Sequence, residues 1–233
     1  MKAYVVQSGQ TDLDAEGRII GNGDPPLNDA GRSQALEISK SLQAKGIDMI
    51  LSSPHIRTME TAEIIADEIG LDRNKITKGL KLVERDFGDF NGKLTSEVDM
   101  FVLCSFLGNA ATPNGETIKD TAGRVIDYMN NMIKIFKTKT MLLIVPEHVL
   151  DVMFWFYTGL PKPGKEHKTE KNPLMVYEFD TDDIPPDIID YQSVANIPDP
   201  ISTDNDPGRL LSQSEIDALI AEITGGQHSR LSV

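Results

Sequence analysis

Tyr4-Val5-Val6-Gln7-Ser8-Gly9-Gln10-Thr11 is an apolar run that stops at a polar turn containing glycine. It reads as a short buried strand, and the glycine lets backbone approach a ligand closely. An active site is expected at this turn. Outward from it, strand and helix signals alternate. Asn28 is a suitable N-cap for a helix to about Lys45. Ile47 to Leu51 is a second apolar run ending at Ser52-Ser53-Pro54, and Ala62, Ile65, Ala66 and Ile69 give Thr58 to Ile69 one apolar side. Gly79 to Val83 reads as a strand delivering Glu84. Pro113-Asn114-Gly115-Glu116-Thr117 opens a helix with Val125, Ile126, Met129, Met132, Ile133 and Phe136 at helical spacing. Met141 to Val145 is a continuous apolar run suited to a buried parallel strand. A helix from His148 to Thr158 follows it, and Leu174 to Phe179 reads as a closing strand. This alternation predicts the α/β class with a doubly wound, mostly parallel sheet. In such a sheet the ligand crevice lies outside the carboxyl ends of the strands. Gln7-Ser8-Gly9, Ser52 to Arg57 and Glu147 all follow strand ends and are expected to converge there.

The chain has 233 residues and 39% hydrophobic content, enough for one substantial core plus an appendage. Cys104 is the only cysteine, so an intrachain disulfide is impossible, which suits a reducing compartment. No apolar stretch approaches the ~18 residues of a membrane span, and Ala3 to Val6 is too short for a signal-peptide core. The expected location is the cytoplasm. The net charge is -13, and most of it belongs to the tail, where 10 acidic residues face 2 basic ones between residues 181 and 233. Such a surface repels phosphate backbones, so neither nucleic-acid binding nor membrane insertion is expected.

The turn at Gln7 is one of five segments that resemble, in order and spacing, the histidine phosphatase (phosphoglycerate mutase-like) superfamily. The others are Pro26-Leu27-Asn28-Asp29-Ala30-Gly31-Arg32-Ser33-Gln34-Ala35, Ser52-Ser53-Pro54-His55-Ile56-Arg57-Thr58-Met59-Glu60-Thr61-Ala62, Leu82-Val83-Glu84-Arg85-Asp86-Phe87-Gly88 and Val145-Pro146-Glu147-His148. The resemblance covers residues 1 to 180 and implies a phosphoglycerate mutase-like fold. It also implies a pocket built from Gln7, Ser8, Arg57, Glu84 and Glu147, in which this chain departs from the pattern. The family places an Arg-His-Gly triplet after the first strand, with the histidine taking the phosphoryl group; here the triplet is Gln7-Ser8-Gly9. The family's second histidine falls at Glu147. Glu84 stands where the family has its proton donor to the leaving group, and Arg57 is the surviving arginine.

In the mechanism that the resemblance implies, an imidazole attacks phosphorus while arginines and a histidine neutralise the phosphoryl oxygens. With one arginine and two carboxylates, the pocket here carries a formal charge near -1. A carboxylate about 4 Å from a phosphate oxygen costs roughly 4 kcal/mol at an effective dielectric near 20, more than one hydrogen bond returns. Phosphate is therefore expected to be poorly held, with Glu147 pairing with Arg57 in the anion's seat. Ser8 beside a carboxylate is a rival nucleophile, but a carboxylate is a weak base for an alcohol and no histidine sits in the motif. His148 is expected as a residue of the first helical turn, and His55 as a loop residue behind the site. The four histidines lack metal-ligand spacing, so no metal or cofactor is expected.

Residues 181–208 are rich in aspartate and carry prolines at 185, 186, 198, 200 and 207, as an acidic linker does. Ile184, Ile188, Ile189, Tyr191 and Val194 leave open whether it is a tether or a strap along the domain. In the tail, 209–233, Ser212 and Glu215 form a capping box, after which Ile216, Leu219, Ile220 and Ile223 repeat at helical spacing until Gly225-Gly226. A helix this short needs a surface, either its own domain or a partner's groove. Leu211-Ser212-Gln213-Ser214-Glu215-Ile216-Asp217-Ala218-Leu219-Ile220 resembles the N-terminal peptide of the bacterial flagellar switch protein FliM, which in that family binds the phosphorylated chemotaxis regulator CheY. Here the peptide stands near the C-terminal end. The resemblance implies that Leu211, Ser212, Glu215, Ile216, Asp217, Leu219 and Ile220 dock a phosphorylated CheY-like response regulator or a related flagellar or chemotaxis protein. The expectation is a catalytically inactive histidine phosphatase-like adaptor. The alternatives are a phosphomonoester phosphatase or mutase-like enzyme with altered activity, and a ligand sensor. A homodimer stays open.

Overall fold

The computed structural model describes residues 1–98, 112–158 and 174–181. The expected helix at Val98 to Leu107, the basic loop at Lys162 to Lys171, the acidic linker and the tail helix lie outside the described residues.

A five-stranded sheet runs in the order β3-β2-β4-β1-β5. Its strands are β1 (Lys2–Gln7), β2 (Met49–Ser52), β3 (Ile76–Lys78), β4 (Thr140–Val145) and β5 (Tyr177–Asp180). β1 to β4 are mutually parallel, and β5 runs antiparallel to β1. The helices are a single turn, α1 (Asp12–Ala15), then α2 (Asp29–Leu42), α3 (Ile56–Ile69), α4 (Ile118–Ile135) and α5 (Glu147–Thr158).

Alternation along the central strands decides which helices cover which face. Tyr4, Val6, Ile50, Leu142 and Ile144 point to one side, where Ile38 and Leu42 of α2 and Ala62, Ile65 and Ala66 of α3 bury them. Ala3, Val5, Leu51, Met141, Leu143 and Val145 point to the other, against Val125, Ile126 and Met129 of α4 and Val149, Val152 and Phe156 of α5. Both faces being covered explains why β1 and β4 read as unbroken apolar runs. The expected doubly wound sheet is thus the observed one.

Local signals hold at the helix starts. Asn28 Oδ1 accepts from Gly31 N–H at 2.8 Å, and Thr117 with Asp120 forms a capping box opening α4. One strand is displaced: the third is Ile76–Lys78, not Gly79 to Val83. Gly79 N–H returns to Ser52 carbonyl at 2.7 Å and Leu82 N–H to Gly79 carbonyl at 2.9 Å, so the chain turns there and only Leu82 reaches the core. The helices α3 and α5 also begin earlier than expected, at Ile56 and Glu147.

Candidate active site

The loops after β1, β2 and β4 meet at one end of the sheet. Ser8 is buried and its N–H donates to Val145 carbonyl at 3.1 Å, which ties the first turn to the end of β4. Gly9 N–H donates to Thr61 Oγ1 at 3.1 Å, and Gln10 N–H to Gln34 Oε1 at 2.9 Å. The turn also needs glycine for close approach: a methyl at Gly9 would stand 2.8 Å from the carbonyl carbon of Gly31. The residues of Gln7-Ser8-Gly9 are therefore fixed by α2, α3 and β4 together.

Arg57 comes from the first turn of α3 and is 2% exposed. Its Nη1 donates to Gly23 carbonyl at 3.0 Å. Burial lowers its pKa, against the raising effect of Glu84, Asp14 and Asp24. Next to Gly23, Asp24 Oδ1 accepts from Ile56 N–H at 2.6 Å and lies 3.6 Å from His55 Nδ1. The expected Arg57–Glu147 ion pair is not formed. Arg57 is turned toward the loop that carries Gly23 and Asp24, and its charged neighbours come from there, from α1 and from Glu84.

Glu84 is delivered by a clamp from α4. Arg124 donates to the carbonyls of Lys81 (2.7 Å), Val83 (2.8 Å) and Glu84 (3.0 Å), and its Nε and Nη2 each reach the Glu116 carboxylate at 2.9 Å. Glu84 N–H donates to His55 Nε2 at 3.0 Å. The bond requires that nitrogen to be unprotonated, and burial, helped by Arg57, lowers the His55 pKa accordingly. The Glu84 carboxylate is buried, which resists ionisation. His148, Arg57 and the Arg85 N–H outweigh that resistance and bring its pKa to about 2. Its Oε1 accepts from Arg85 N–H at 2.8 Å and lies 3.5 Å from His148 Nδ1, while Oε2 accepts from His148 N–H at 3.4 Å. At neutral pH Glu84 is an acceptor with no proton to donate.

A cavity of about 320 Å³ opens over these groups. Gln7, Ser8, Arg57, Glu84 and Glu147, the five residues named from the sequence, all line it, and Ile19 and Phe87 supply apolar wall. Three further titratable side chains in the lining are not among the residues named from the sequence: Asp14, Arg18 and His148. Asp14 closes a capping box with Thr11, accepting from its N–H at 2.7 Å and its Oγ1 at 2.8 Å, and burial raises its pKa despite those bonds. The Thr-x-x-Asp spacing in the sequence could have found it. His148 does stand in the first turn of α5, as expected, yet its ring lines the cavity and meets Phe87 edge-on at 4.8 Å. The lining holds two arginines against three carboxylates, so the negative balance inferred from three residues persists with five. Among the described residues no group of three or more His, Cys, Asp or Glu could hold a metal ion, and no helix is long and apolar enough to cross a membrane.

A family model for the histidine phosphatase superfamily (branch 1) matches residues 3–186. The probable phosphoglycerate mutase GpmB of Salmonella typhi is 30% identical over 167 residues, covering 69% of this chain and 76% of that protein. Among solved structures, Bacillus stearothermophilus YhfR superposes with a TM-score of 0.61 at 25% identity, covering 69% of this chain and 81% of that one. The phosphoglycerate mutase of Bacillus anthracis str. Sterne gives 0.59 at 22% identity over 68% of this chain and 80% of its own, a likeness of fold.

Proposed function

This chain belongs to the histidine phosphatase superfamily, and from that premise we propose that it keeps the fold without the family's phosphoryl transfer and works as a docking adaptor. The observation that carries the first half is Ser8, standing at the position of the phosphoryl-accepting imidazole in a cavity with three carboxylates. A serine hydroxyl is a far weaker nucleophile than imidazole at neutral pH. The surrounding charge opposes a phosphate dianion, Arg57 is already engaged by Gly23, and Glu84 has no proton to give a leaving group. The expected nucleophile is missing and the expected acid has no proton, while Arg57 has given one of its donors to Gly23.

The adaptor half rests on the sequence of the tail. Leu211, Ser212, Glu215, Ile216, Asp217, Leu219 and Ile220 carry the FliM-like peptide, and the acidic, proline-rich stretch before it suits an extended tether. In this reading the helix docks a phosphorylated CheY-like receiver, and the domain is the body to which that partner is brought. Titrating the full-length chain, and a form ending at residue 208, with a CheY-like receiver and its beryllofluoride-activated form tests it. Binding by the full-length chain only, stronger for the activated receiver, supports docking. No binding to either form ends it.

The second reading, a phosphatase or mutase-like enzyme with altered activity, draws on the retention of Arg57 and Glu84 in one cavity and on the names of the relatives. It predicts phosphate release from a phosphomonoester that is lost in Ser8→Ala and Glu84→Gln.

A further inference from the structure

Both cations of the cavity wall are already matched. Arg18 donates to Glu16 Oε2 at 2.7 Å and to Gly92 carbonyl at 2.9 Å, so its guanidinium is held by groups outside the lining. Arg57 gives one N–H to Gly23 carbonyl at 3.0 Å, and Glu84 is the foremost of the carboxylates that act on its charge. Asp14 is left over. Thr11 engages only its Oδ2, through N–H at 2.7 Å and Oγ1 at 2.8 Å, and Oδ1 makes no hydrogen bond.

Two uncharged polar groups of the same wall are unmatched. Ser8 is 6% exposed and lines the cavity, and its Oγ makes no hydrogen bond in the structure. Gln7 lines the cavity as well, and its Oε1 is buried without a partner. A buried acceptor left unmatched is costly, and only a ligand that brings a donor can satisfy it. A phosphate dianion brings acceptors alone. Next to these groups Ile19 and Phe87 make the wall apolar.

We propose that the cavity binds a primary alkylammonium cation, with the ammonium on Asp14, Ser8 Oγ and Gln7 Oε1 and the alkyl chain against Ile19 and Phe87. A primary ammonium has three N–H donors, one for each of these acceptors. Its single charge answers Asp14 and matches the excess of one carboxylate over the arginines of the lining. A cavity of about 320 Å³ has room for a chain of several carbons. The site presupposes the proposed loss of phosphoryl transfer, because a phosphate in the same space would bring no donor to Gln7.

The test is isothermal titration calorimetry of the full-length chain at pH 7.5 and fixed salt, with n-pentylamine, 1-pentanol, L-norleucine and inorganic phosphate. n-Pentylamine should bind saturably at one site, and 1-pentanol, of the same shape without the charge, at least about tenfold more weakly. L-Norleucine sets a carboxylate beside the amine and should bind no more tightly than n-pentylamine. Asp14→Asn should weaken the amine at least about tenfold and Ser8→Ala at least about threefold. Thermal melts confirm that both variants fold, and Ser8→Ala removes no side-chain hydrogen bond of the parent. Equal affinity for 1-pentanol, tighter binding of L-norleucine, or amine binding unchanged in folded Asp14→Asn would each overturn the proposal. Binding of neither amine nor phosphate overturns the amine site alone, whereas phosphate bound in place of the amine overturns it and the exclusion of phosphate together.

Discussion

Glu84 N–H donates to His55 Nε2 at 3.0 Å, so the residue beside the family's arginine motif fixes the backbone of the cavity's buried carboxylate. His55 reads in the sequence as one loop histidine of four, and in the structure it ties the β2 loop to the 79–85 segment, alongside the Gly79 N–H bond to Ser52 carbonyl. His55→Ala leaves a buried amide without a partner, at a cost of about 1–3 kcal/mol. A urea unfolding midpoint lowered accordingly, with an unchanged slope, is the expected result; no shift would mean that the bond contributes nothing.

Acid should weaken the fold in two stages. His55 has a pKa below its ordinary value of 6.5 in the folded chain, so below 6.5 the unfolded chain binds the extra proton first. Its contribution is whole above pH 6.5 and is lost as pH falls through the folded value. Glu84 is depressed from 4.5 to about 2, so its contribution is whole above 4.5 and is lost toward pH 2. Thermal melts at pH 7.5, 5.5 and 3.5 should show a falling melting temperature. His55→Asn should flatten the first step and Glu84→Gln the second.

Arg124 makes five hydrogen bonds, to three carbonyls of the 81–84 segment and to both oxygens of Glu116. Arg124→Ala strands the carboxylate and the carbonyls together and should cost about 3 kcal/mol. Lysine cannot reproduce the planar fork, so Arg124→Lys should recover less than half of that in the same denaturant titration. Full recovery by lysine would reduce the clamp to a simple charge.

Gly9→Ala places a methyl group against the backbone of Gly31, which cannot retreat without moving α2. The expected loss is about 2 kcal/mol or more. A variant as stable as the parent would show that the first turn has slack, and with it the placement of Ser8.

The sheet was readable because each central strand is apolar on both sides and ends in a distinctive polar turn. The same strand ends predict that Gln7, Ser8, Arg57 and Glu147 converge, whereas Glu84 is placed there by the family resemblance, since the third strand is Ile76–Lys78 and not the one expected to deliver it. The misplaced third strand shows the limit of that signal: Leu80 and Val83 look like strand residues, but Gly79 turns the chain, and Leu80 is left 70% exposed. The Arg57–Glu147 pairing failed for a related reason. Charge complementarity names candidate partners, whereas the direction in which Arg57 leaves α3 selects Gly23. His148 is hard to pick out in the sequence because its neighbour Glu147 already occupies the family position. Successive residues at the start of a helix are about 100° apart, which is close enough for both to face the same cavity.

The most direct test of the account is phosphate release from p-nitrophenyl phosphate by the full-length chain. The account predicts a rate no greater than that of a protein-free blank across pH 5 to 8, because Ser8 replaces the imidazole nucleophile and the lining repels the dianion. Turnover that disappears in Ser8→Ala, with the variant still folded, would contradict it and make the domain a working phosphatase.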